Sequence, residues 1–154
     1  MQVRHGTGDQ YMIEHINVSI DGATIHVARC GQGPVLLLLH GWPEFWLTWE
    51  PLMRRLADRF TVVAPDLRGF GDSDKPLGRF GAAEHAGDMI GLLNALSIEK
   101  AGVVAHDVGG AVAQELARKA PERISGLFLF NFVYPGIGKR MAEPDRLIEI
   151  WYQS

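Results

Sequence analysis

The chain has 154 residues, 47% hydrophobic and 21% charged, with a net charge of −3, which is the composition of one ordinary globular domain. No Lys/Arg run gives an electrostatic footprint for nucleic acid, and the longest unbroken apolar stretch, Val35–Leu39, is too short to span a bilayer. The single cysteine, Cys30, excludes a disulfide framework and a paired-cysteine metal site, and the Met1-Gln2-Val3-Arg4-His5-Gly6 start lacks the apolar core of a signal peptide, so a cytoplasmic protein is expected.

Residues 1–12 are polar and Gly-punctuated, a loosely held lead-in. Residues 15–20 and 24–30 alternate around Asp21-Gly22, a hairpin turn signal. After the break at Gly31-Gln32-Gly33-Pro34, the run Val35-Leu36-Leu37-Leu38-Leu39 has the continuous apolar character of a strand buried on both faces. Strand and helix patterns then alternate. Helices are predicted over residues 51–59, with Pro51 in the first turn, over 82–96, where Met89, Ile90, Leu92, Leu93 and Leu96 form a stripe, and over 110–119. Strands are predicted over 61–64, 101–105 and 124–130. A hairpin followed by β-α-β repeats implies an α/β fold, a mostly parallel sheet with helices on both faces. Beyond Pro135-Gly136-Ile137-Gly138 a further helical pattern opens near Pro144 and runs through Leu147, Ile148 and Trp151 to Ser154 without a cap or stop signal.

The segment Val103-Val104-Ala105-His106-Asp107-Val108-Gly109-Gly110 reads as a buried strand, a tight turn and a helix. That is the layout of a nucleophile elbow, which presents one side chain at the end of the sheet in a strained turn. Small neighbours are required because strand and helix nearly collide there, and Ala105, Gly109 and Gly110 meet the need. Serine is the usual nucleophile, but the position holds Asp107, and no Gly-x-Ser-x-Gly occurs in the chain. Taken alone, Asp107 reads better as the cap of a helix beginning near Gly109. The second element is His40-Gly41-Trp42-Pro43-Glu44, directly after the most apolar strand. Such a turn can aim the Trp42 N–H toward the same point as the Val108 N–H, and two such donors make an oxyanion hole.

His40-Gly41-Trp42-Pro43-Glu44, Asp66-Leu67-Arg68-Gly69-Phe70-Gly71-Asp72-Ser73 and Ala105-His106-Asp107-Val108-Gly109-Gly110 together resemble the three signatures of the α/β-hydrolases with an aspartate nucleophile, the epoxide hydrolase and haloalkane dehalogenase branch. The resemblance implies residues 1–134 as the N-terminal part of the hydrolase core and 135–154 as the incomplete start of a helical cap. It implies Asp107 as the nucleophile that forms an alkyl-enzyme ester, with Trp42 and Val108 as backbone oxyanion donors. His40, Pro43, Glu44 and His106 fall in the substrate pocket or directly behind it. The implied reaction is hydrolysis of a small apolar epoxide to a diol, without cofactor or metal. Haloalkane or haloacetate dehalogenation is the alternative, disfavoured because Val108 offers no side-chain N–H for a halide and no arginine follows the nucleophile to clamp a carboxylate. A catalytically incomplete fold serving as a binding module is the non-enzymatic alternative.

The resemblance places the general base, a histidine, late in the chain, whereas His5, His15, His26, His40, His85 and His106 all come early. A C-terminal fragment completing the fold is therefore the expected partner, with no nucleic acid and no membrane. Tyr134 and Tyr152 lie near the start of the cap. Trp42 is the strongest candidate for a substrate wall, with Trp46 and Trp49 assigned to the core. Asp66, Asp72 and Asp74 read as turn caps, not as a metal site.

Overall fold

A computed structural model describes residues 11–132. Its elements are β1 (Glu14–Ile20), β2 (Ala23–Gly31), β3 (Val35–Leu39), α1 (Glu50–Leu56), β4 (Thr61–Pro65), α2 (Ala82–Ala95), β5 (Ala101–His106), α3 (Asp107–Lys119) and β6 (Ile124–Phe130). A single turn of 3-10 helix, Trp46–Trp49, leads into α1. The six strands form one sheet in the order β1-β2-β4-β3-β5-β6. Strands β3 to β6 pair in parallel, while β1–β2 and β2–β4 pair antiparallel. The hairpin turn matches its sequence signal, since Asp21 and Gly22 both have positive φ, +46° and +76°, as a two-residue primed turn demands.

The leucine run of β3 is apolar throughout because each face of the sheet has its own core. Leu37 and Leu39 pack with the Met89, Leu92 and Leu93 side of α2 and with Val112 and Leu116 of α3. Leu38 points the other way, into Trp49, Met53 and Ala57 around α1. A strand with only one buried face would alternate instead.

Two boundaries differ from the sequence expectation by three residues, the others by one at most. α1 ends at Leu56, three residues before residue 59, with Arg59 and Phe60 bonding back to the Leu56 carbonyl as the chain turns into β4. α3 starts at Asp107, three residues before residue 110, because strand and helix share a single turn with no loop between them. The expected cap, residues 135–154, and Tyr134 lie outside the described residues.

The topology locates the functional end. From β3 the chain passes over one face through α1 to β4. It then returns over the opposite face through α2 to β5, on the far side of β3. The connections leaving β3 and β5 therefore diverge to opposite faces, opening a crevice beyond the carboxyl ends of these two neighbouring strands. Open parallel sheets bind ligands at such a switch point. The turn 40–44 and Asp107 both stand there. At the sheet edge, β6 exposes Leu127, Phe128 and Phe130, at 43%, 63% and 40%. No described helix is long and apolar enough to cross a membrane.

Candidate active site

β5 runs extended to His106 (φ −143°, ψ 164°), and the backbone then reverses at Asp107, whose φ is +50°. Left-handed geometry costs a β-carbon residue about 1–2 kcal/mol, least for Asp and Asn. The turn is fixed from the next strand by the Asp107 N–H, which donates to the Asn131 carbonyl at 3.0 Å. The residue in the N-cap position is His106, and α3 has no side-chain cap. Asp107 is thus not the helix cap. Its Oδ1 instead accepts the Trp42 N–H at 3.0 Å, across 65 residues of sequence.

Glycines make this approach possible. A β-carbon on Gly109 would lie 2.4 Å from the Leu39 carbonyl oxygen and 2.6 Å from that of His40. One on Gly41 would lie 2.7 Å from the Asp107 Cβ. The end of β3 and the first turn of α3 are therefore in direct backbone contact, and Gly41 lies against the Asp107 side chain.

The turn 40–44, which contains a cis Trp42–Pro43 peptide, is held from two sides. Behind it, the buried His40 ring donates from Nδ1 to the Gly41 carbonyl at 2.8 Å and accepts the Leu67 N–H at Nε2, 3.0 Å away. A backbone N–H can only donate, so the proton sits on Nδ1 and the ring is neutral. In front, Glu44 Oε2 accepts the Gly41 N–H at 3.2 Å and pairs with His106 Nε2 at 3.0 Å. One carboxylate oxygen thus ties the turn to the residue that precedes Asp107. The His106 ring stacks on Phe130 and meets the edge of Trp49.

The structure brings together Trp42, Glu44, His106 and Asp107, with His40 directly behind. Pro43 lies within the same turn and is exposed. The Val108 side chain turns away and packs against the core. Trp49 is buried and Trp46 is half-buried, whereas Trp42, Phe45 and Leu47 are exposed beside the turn. The other described histidines are engaged elsewhere or enclosed: His26 with Asp66, His15 with His26, and His85 buried on α2. Sequence reading missed the Glu44–His106 pair, because nothing in two separate turns signals that their side chains meet.

A family model described as alpha/beta hydrolase fold matches residues 34–149. The chain belongs to the α/β-hydrolase family. Among its relatives, the soluble epoxide hydrolase of Corynebacterium sp. (strain C12) is 41% identical over 127 residues, 82% of this chain and 44% of the relative. Epoxide hydrolase 3 of Siraitia grosvenorii is 42% identical over 118 residues, 75% of this chain and 37% of the relative. The crystal structure of the epoxide hydrolase VrEH1 from Vigna radiata superposes with a TM-score of 0.80 at 32% identity, covering 90% of this chain and 46% of that one. These similarities lie in the epoxide hydrolase branch, as the three sequence signatures implied. The chain spans less than half the length of these relatives.

Two buried histidines should make the core of this α/β-hydrolase chain acid-sensitive. Burial holds His40 below the ordinary histidine range, against the upward pulls of the Gly41 carbonyl, Asp66 and Glu44. Burial also lowers His85, opposed mainly by Asp88. Where folding depresses a histidine pKa, the unfolded chain binds the extra proton first. The stability is therefore present above the unfolded value of about 6.5 and is lost as pH falls toward the folded one. Urea midpoints measured from pH 7.5 down to 5 should fall, each group contributing at most about 1.4 kcal/mol per pH unit. His85→Gln should flatten the slope. A midpoint that rises on acidification would contradict the assignment.

Proposed function

We propose that Asp107 is the nucleophile of an epoxide hydrolase and that this chain carries the attacking carboxylate and the oxyanion donors of its chemistry. The observation that supports the reading best is the Trp42 N–H to Asp107 Oδ1 bond at a strained strand-to-helix turn. That bond holds one carboxylate oxygen and directs the other, Oδ2, toward a substrate carbon. Attack would form the Oδ2–carbon ester bond while the ring carbon–oxygen bond breaks and the ring oxygen takes up a proton. Water activated by a base would then add to the ester carbonyl. Oδ1, now bearing the developing charge, would lie against the N–H groups of Trp42 and Val108. Collapse then breaks the Cγ–Oδ2 bond, so the diol leaves carrying Oδ2 and a proton, and the water oxygen completes the regenerated carboxylate. Exposed Trp42, Phe45 and Leu47 beside the turn favour a small apolar substrate. No cofactor is needed for either step.

The base, its supporting carboxylate and the proton donor to the opening ring would come from hydrolase sequence beyond these 154 residues. The exposed Leu127, Phe128 and Phe130 on β6 provide an apolar surface against which that portion would pack. Intact masses of every polypeptide in a purified sample test this. A second, C-terminal species supports it, and a stable, monomeric 17.0 kDa chain standing alone argues against it.

In the 154-residue chain by itself, where water supplies the ring proton and no late histidine activates hydrolysis, an alkyl-enzyme ester should accumulate. Incubation with styrene oxide should add the full mass of the epoxide to the peptide containing Asp107. A haloalkane would instead add only its alkyl group and release halide, and that result would select dehalogenation. A folded chain that forms no adduct with either reagent would leave the binding-module reading.

The same assay tests the clamp. Glu44→Gln removes the charge shared by the Gly41 N–H and His106, which loosens the donor turn without touching the nucleophile. Adduct formation should slow by roughly tenfold, with the adduct mass and its site unchanged. An unchanged rate would mean that the turn holds its position without Glu44.

A further inference from the structure

The loop that follows β4 gathers a second constellation, independent of Asp107. Sequence spacing assigned Asp66, Asp72 and Asp74 to turn capping. Asp66 does this, accepting the Asp72 N–H at 2.8 Å, while Asp74 accepts the Thr24 N–H of β2 at 2.7 Å. Asp66 and Asp72, however, are joined by His26 from the middle of β2. One nitrogen and two carboxylate oxygens from these three residues lie within 4.8 Å of one another. His26 and Asp66 are 6% and 0% exposed, while Asp72 stands at the surface and offers a way in.

The local geometry suits a metal ion. His26 Nδ1 and Asp66 Oδ2 share a hydrogen bond at 2.9 Å, about 0.5 Å short of the edge of a tetrahedral site with bonds of about 2.1 Å, so an ion replacing the shared proton needs only a small separation of the two side chains. The Asp66 carboxylate is oriented beforehand, since Oδ1 accepts the Trp46 N–H at 2.7 Å and Oδ2 the Asp72 N–H at 2.8 Å. An outer partner is also present, because His15 Nδ1 lies 3.0 Å from His26 Nε2. The nearby Lys75 turns its ammonium to the Gly71 and Ser73 carbonyls.

We propose that His26, Asp66 and Asp72 form a binding site for a divalent first-row transition metal such as Zn²⁺, with His15 orienting His26 from behind. A mixed nitrogen and carboxylate set suits such ions, and two carboxylates balance a double charge. In the metal-free chain with both rings neutral, His26 donates from Nδ1 to Asp66 and accepts from His15 Nδ1. When the metal takes His26 Nδ1, that proton moves to Nε2 and the bond to His15 reverses, so His15 carries its proton on Nε2. Each ring exchanges one tautomer for the other, and no net proton is released. An outer partner that receives the second N–H of a ligating histidine is the usual support of such sites.

Calorimetric titration of the tag-free chain with Zn²⁺, and with Co²⁺ followed by visible absorption, tests the site. One ion per chain is expected, bound tighter than about 100 µM. Asp72→Asn, which alters only an exposed side chain, should weaken binding at least tenfold, as should His15→Gln. His26→Gln should abolish it. In ¹⁵N spectra of the imidazoles, Zn²⁺ should move the His26 and His15 protons from Nδ1 to Nε2. The proposal is overturned by an absence of saturable binding, or by binding that retains full strength in Asp72→Asn and His26→Gln.

Discussion

Replacing Asp107 by asparagine should abolish the covalent adduct with an epoxide, a loss on the order of 10⁴-fold or more in the rate of trapping. Asparagine is the informative substitution because position 107 sits at φ +50°, a conformation that Asn tolerates nearly as well as Asp. The amide oxygen can still accept the Trp42 N–H, so the turn survives while the charged carboxylate is gone. Circular dichroism and the urea midpoint should therefore stay close to those of the parent chain. If the adduct forms in Asp107→Asn at the parent rate, the alkylated group is some other carboxylate and the proposed chemistry fails. If the adduct vanishes together with the fold, the parent's peptide map, which locates the added mass, decides instead.

The second large effect concerns stability. Gly109→Ala should cost about 3 kcal/mol or more, because the new methyl would lie 2.4 Å from the Leu39 carbonyl oxygen and 2.6 Å from that of His40. Neither atom is the end of a flexible side chain, and β3 is clasped by β4 on one side and β5 on the other. Relief would require α3 to back away from the sheet, carrying Asp107 off its bond to Trp42. In urea the midpoint should drop by roughly 2 M at a slope of about 1.5 kcal/mol per M. Gly87→Ala is the matched control. It lies within α2, where an added β-carbon meets nothing within 4 Å, and should stabilise by about 0.5–1 kcal/mol. Equal effects at the two positions would mean that helix propensity, not close approach, governs the elbow.

Much of the sheet was legible because its order is written in local pattern. A hairpin turn, a leucine run buried on both faces and a helical stripe at 82–96 each declare themselves within a few residues, since backbone geometry and burial act at short range. The elbow was legible for a related reason. Small residues at 105, 109 and 110 are needed wherever strand and helix approach this closely, and Asp107 stands between them. What local pattern left open was whether Asp107 caps the helix or faces a donor, because both readings need the same residues in the same order.

Tertiary structure settled that question by placing the Trp42 N–H on Asp107 Oδ1, 65 positions away in the chain. It also paired Glu44 with His106 and drew His26 onto Asp66, contacts that join turns and strands from separate β-α units. Such pairings depend on strand order, and strand order follows from how helices of both faces share the apolar surface of the whole sheet. The sequence by itself determined which segments become strands, which turn is strained and which side chain the strain presents. Only the assembled sheet decided which polar groups meet at its carboxyl end, because their partners are selected by packing at a distance.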